Sequence, residues 1–105
     1  MMERMNELEV LIDTHSSSRT LNSDDAISLL DEYFDGLLYL MHELNDLAPS
    51  SNITDFEIEP LNFKERIQYI KARKHHFMGY QQMKTIRIEI NKLIAIQNIK
   101  KKRQH

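Results

Sequence analysis

A chain of 105 residues, 41% hydrophobic and 29% charged, is the size of one domain, enough for a single core and too small for two. It contains no cysteine, which excludes disulfides and thiolate metal sites and favours an intracellular setting. The formal net charge of -2 hides a division: residues 1–60 carry 14 acidic and 2 basic side chains (-12), whereas residues 61–105 carry 2 acidic and 12 basic (+10).

With only two glycines and two prolines to interrupt the chain, long helices are expected. The start MMERMNELEV has neither the basic opening nor the apolar run of a secretion signal, and no window is apolar enough for a membrane span. A cytoplasmic protein without membrane contact is the expectation. Residues 2–13 place Met5, Leu8 and Ile12 on one side of a short amphipathic helix. The polar stretch THSSSRTLNS then reads as a loop ending in a helix cap at Asn22 or Ser23, with Asp24 and Asp25 in the first turn, where the helix dipole favours negative charge.

Residues 24–47 carry the clearest pattern. Ile27, Leu30, Phe34, Leu37, Met41, Leu44 and Ala48 alternate three and four residues apart, a coiled-coil-like row. Ala26, Leu29, Tyr33, Leu40 and Leu47 widen it into a face that packs against two or more neighbours. Gly36 and His42 fall on the opposite, acidic side with Asp31, Asp35 and Glu43.

The connection 48–62 holds both prolines. Ile53, Phe56 and Ile58 are the residues to pin it down, through a short extended piece or a single helical turn begun by Thr54 and Glu57. Asn62 with Glu65 resembles a capping box, and Leu61 with Ile67 a hydrophobic staple, so a third helix is expected from residue 63.

Beyond it, KTIRIEIN alternates as a strand would, but no turn precedes Leu93, and a hairpin there would scatter Ile94 and Ile96 onto the polar face. A helix is therefore expected through residue 103. At about 100° per residue, Phe63, Ile67, Ile70, Phe77, Met78, Ile88, Ala95 and Ile99 share one face of a straight rod, and Met83, Ile86, Ile90, Leu93 and Ile94 share the opposite one. Either the helix is unbroken and flanked on both sides, or the chain breaks at Gly79 and a fourth helix turns back. No capping residue lies between Tyr80 and Gln82, which favours the unbroken rod. The expected fold is thus all-α: a small antiparallel bundle of three long helices, or four with a break at Gly79.

The motifs of catalysis and metal binding are poorly represented. His75 and His76 are adjacent, hence on different sides of a helix, with no acidic residue or further histidine one turn away. His42 and Asp46 are one turn apart but form only two ligands. Ser16, Ser17 and Ser18 lie in a loop with no held base, and Asp31 and Asp35 sit on a wet face where a carboxylate keeps its ordinary acidity. No cofactor, no metal and no enzymatic activity are expected.

Two binding functions remain. The first is a helical protein-interaction or regulatory protein that self-associates, as a homodimer, or takes a partner helix through Met83, Ile86, Ile90, Leu93 and Ile94. The second is a nucleic-acid-binding regulator whose phosphate contacts are Lys71, Arg73, Lys74, His75, Lys84, Arg87, Lys100, Lys101, Lys102 and Arg103, although a helix-turn-helix centred on Gly79 fits badly. Charge alone also admits a third outcome, in which the acidic and basic parts neutralise each other inside the bundle.

Overall fold

Ser23 begins the best-marked helix: its Oγ accepts from the Ala26 N–H at 3.1 Å, satisfying one of the donors that a first helical turn leaves open. The computed structural model describes residues 1–103 and contains four α-helices. They are α1 (Met2–Ser17), α2 (Asp24–Leu44), α3 (Phe63–Arg73) and α4 (Phe77–Arg103), and together they form a small helical bundle.

The first helix outruns its expected end by one turn, and Arg19, with φ 57°, turns the chain towards α2. α1 then lies antiparallel to α2 with Met5, Leu8 and Ile12 fully buried. Gly36 is not on the outer side as expected. A Cβ there would run into Met5 Sδ, so the missing side chain is what lets α1 approach.

α2 stops at Leu44, and Asp46 takes a left-handed φ of 54°. Asn45 fastens the connection to the end of this helix. Its Nδ2 donates to the carbonyls of Met41 and Ile58, each at 2.9 Å, and its Oδ1 accepts from the N–H groups of Glu57 and Ile58. Of the two alternatives the connection takes the single turn, a 3₁₀ segment at Ile53–Asp55 that starts one residue before Thr54 and excludes Glu57, and it buries Phe56 against the rings of His42 and Phe63. His42, expected on the wet face, is therefore buried. Its ring nitrogens lie 2.7 Å from the Leu38 carbonyl oxygen and 2.9 Å from that of Ser51, which ties the end of α2 to the connection.

Asn62 opens α3 without the capping box: it sits at φ 56° with no side-chain bond to the helix, and Leu61 points to solvent instead of stapling to Ile67. The unbroken rod is also corrected. α3 ends at Arg73, three residues make a tight elbow, and α4 starts at Phe77. His76 supplies the first carbonyl to the new helix, accepting from the Tyr80 N–H at 3.0 Å. The break comes before Gly79, and Gly79 permits it, because a Cβ at that position would strike the Arg73 carbonyl oxygen. Lys74 and His75 hold the elbow onto α2 through Asp31. α4 then runs back along α3, and the two apolar rows that a straight rod would set on opposite sides come face to face: Phe63, Ile67 and Ile70 from α3, Tyr80, Met83, Ile86 and Ile90 from α4, all fully buried.

Candidate interaction surface

The acidic and basic parts of the chain meet along the seam between α1 and α4. Arg87 is 6% exposed; its Nη1 stands 3.0 Å from Glu9 Oε1, and its Nη2 donates to Asn6 Oδ1 at 2.6 Å. Tyr33, from α2, donates to the same Glu9 oxygen at 2.6 Å, and Tyr80 donates to Asp13 Oδ1 at 2.7 Å, with Lys84 reaching that oxygen at 3.2 Å. Burial, followed by donation to a carboxylate, pushes both tyrosine hydroxyls well above the ordinary range, so they act here as fixed donors. Carboxylates one turn apart on α1 thus receive side chains from two other helices. The seam is a fastening, in which only Nε of the Arg87 guanidinium is buried without a partner.

This arrangement decides where the expected phosphate contacts lie. Arg87 and Lys84 belong to the seam, and Lys74 and His75 share Asp31 at 3.0 and 2.6 Å. Their hydrogen bonds hold the Asp31 carboxyl below its usual range, the reverse of what a general acid needs. Lys71 and Arg73 are exposed at the end of α3, where the Arg73 guanidinium lies 4.2 Å over the Tyr69 ring. Lys100, Lys101 and Lys102 are exposed at the far end of α4, and the Arg103 side chain lies outside the described residues. The nine described cations among those expected from the sequence therefore do not form one track. Beside the elbow, His75 and His76 line an open cleft of about 370 Å³ with Ser16, Arg19, Leu21, Asn22 and Phe77; among the described residues no group of three or more His, Cys, Asp or Glu is placed to hold a metal ion.

The expected partner interface is corrected as well. Met83, Ile86 and Ile90 are fully buried inside this chain, and Leu93 and Ile94 pack half-buried against the same core. A straight rod would need a further neighbour to cover them; the elbow covers them with α3 and α2. What α4 leaves bare is its other flank. Phe77, Met78, Ile88, Ile96 and Ile99 are each between 46% and 57% exposed, and Ala95 is exposed among them. At about 100° per residue, Ile88, Ala95 and Ile99 fall in one narrow strip, with Ile96 beside it and Lys92 between them. Sequence patterning finds this row but assigns it to the core, because it is continuous with Phe63 and Ile67 only when the helix is straight. A tight bend is the missing premise, and Gly79 is its one signal.

α3 is too short to alter this. Its 11 residues lie against the first half of the 27 in α4, with Arg66 bonded to Glu89 near the limit of the overlap. The second half of α4 rests on the end of α2 and on the connection after it, where Leu44 and Ile94 line one shallow groove and Ile58 and Gln97 another. No helix among the described residues is long and apolar enough to cross a membrane.

A family model described as YpoC-like protein matches residues 1–102, so the chain belongs to the YpoC-like protein family. No curated protein and no solved structure matches it.

Proposed function

We propose that this YpoC-like protein is a non-enzymatic protein-interaction module that receives a partner on the outer flank of α4. The observation that carries the reading is the row Ile88, Ala95, Ile96 and Ile99; Phe77 and Met78 stand exposed on the same side at the start of α4, separated from that row by Gln81, Lys84 and Thr85. Five large apolar side chains stand half-exposed along one side of one helix, in a chain that buries the apolar rows of its other helices. Scattered single hydrophobics on a surface need no explanation, whereas a contiguous row is the mark of a contact site. Self-association through the row of Met83 and Ile90 is set aside, since those residues hold the monomer together.

The test uses a photo-reactive amino acid placed in the full-length protein in its own cell. Irradiation at position 96 or 88 yields a discrete adduct of higher mass, and at Ser28, an exposed position on α2, it yields none. Ile96→Asp combined with Ile99→Asp removes the adduct formed from position 88 while circular dichroism and Tm stay near wild type, because both side chains are already half-exposed and neither belongs to the core. Absence of any adduct from positions 88 and 96 overturns the reading.

A further inference from the structure

Charge identifies the kind of partner this flank accepts. α4 contains one acidic residue, Glu89, and that one is committed to Arg66, its Oε1 accepting from Nη1 at 3.0 Å. The bare flank itself has none. Lys92 is exposed within the apolar strip, Lys102 continues the same side towards the end of the helix, and Lys84 stands at the border with the α1 seam. Resting on the interaction reading above, we propose that the occupant is an acidic amphipathic helix of another protein, which lays its apolar row along Ile88, Ala95, Ile96 and Ile99 and sets carboxylates opposite Lys92 and Lys102.

Three observations favour this occupant. A second copy docking through the same flank would bring lysines against lysines with no carboxylate to separate them, which opposes the pairing. The acidic surfaces of a second copy are no better: α1 offers only Val10 and Leu11 as adjoining exposed aliphatics, too few for a flank of four turns, and the exposed acidic side chains of α2 surround a single exposed tyrosine, Tyr39. An anionic lipid surface would have to take Lys92 from the middle of the apolar strip into the headgroup boundary, where membrane-lying helices carry their cations on the opposite face. A helix with glutamates flanking its apolar row meets every one of these groups with its complement.

The test selects helices against the intact protein at near-physiological salt. The probe is a displayed library of amphipathic peptides with leucine fixed along the apolar row and the flanking positions varied among Glu, Gln and Lys. Selection returns Glu at the flanks, and a synthetic Glu peptide binds up to about tenfold tighter than its Gln counterpart, as expected for two exposed carboxylate–lysine pairs, one within the strip at Lys92 and one beyond it at Lys102. The Lys92→Glu, Lys102→Glu double variant reverses the choice towards Lys. If peptides are retained whatever their flanks and are lost with Ile96→Asp, the flank remains an interaction site but the acidic partner is overturned. If no peptide is retained, both readings fall. Sedimentation of the wild-type protein as two chains, returned to one by Ile96→Asp, assigns the flank to a second copy. Flotation with phosphatidylcholine–phosphatidylglycerol vesicles without peptide capture assigns it to lipid. Either of the last two results overturns the proposal.

Discussion

Gly79 and Gly36 show how differently the same residue type can serve two close approaches. At Gly79 the obstacle to a Cβ is the backbone carbonyl of Arg73, which cannot move without opening the elbow; at Gly36 it is the sulfur of Met5, the mobile end of a flexible side chain. Gly79→Ala is therefore expected to destabilise the protein by about 3 kcal/mol, a Tm loss on the order of 15 °C for a domain of this size. Gly36→Ala should stay within about 1 kcal/mol of wild type, because alanine recovers roughly 1 kcal/mol of helix propensity as Met5 shifts. Urea titration of the two variants checks the ordering, and equal costs would contradict it. Single residues are unevenly legible in the sequence for a physical reason. Ser23 is legible because an N-cap is a local interaction between near neighbours, whereas the burial of His42 depends on Phe56 and Ser51, which reach it only once the connection folds back. Asn62 has the right local company for a cap, and its left-handed backbone overrides it.

Among the elements, α2 is legible almost throughout, since its row from Leu30 to Leu44 is a property of one helix, and the later pattern fails at a turn that only Gly79 marks locally. The elbow uses no proline and no left-handed residue. It is held by contacts distant in sequence, from Lys74 and His75 to Asp31, so the break is a tertiary fact. The α3–α4 pairing it creates has an electrostatic signature. The Arg66 guanidinium beside Glu89 holds that carboxyl below its ordinary range, so the contribution is present at neutral pH and is lost as the pH falls through the lowered value. Glu89→Gln should lower Tm at neutral pH by roughly 3–6 °C, corresponding to about 0.5–1 kcal/mol for a partly exposed pair. The same variant should narrow the difference between neutral and acid Tm. An unchanged difference would show that Glu89 makes no net contribution across the pairing.

For the whole molecule, the charge division is visible from composition, but its destination is not. Four of the basic side chains expected to contact phosphate are engaged with Glu9, Asp13 and Asp31, and the described remainder stand in two groups near opposite ends of α4, a helix of 27 residues and so about 40 Å long. No continuous basic surface results among the described residues. Fluorescence anisotropy with a labelled DNA duplex is accordingly expected to show no saturable binding at near-physiological salt, and only a weak rise at low salt. Saturable binding that Arg73→Ala and Lys101→Ala both weaken would revive the nucleic-acid reading. The seam that absorbs these charges also orders events in time. Arg87 meets Asn6 across 81 positions of chain and Lys84 meets Asp13 across 71, whereas each helical hairpin closes over a short loop. The hairpins can nucleate early, and the long closure that joins the chain's opening residues to its last helix forms only after both exist. Reversed, the same order has the seam give way first, so that the two hairpins are expected to part while Met5 still lies against Gly36 within the first of them.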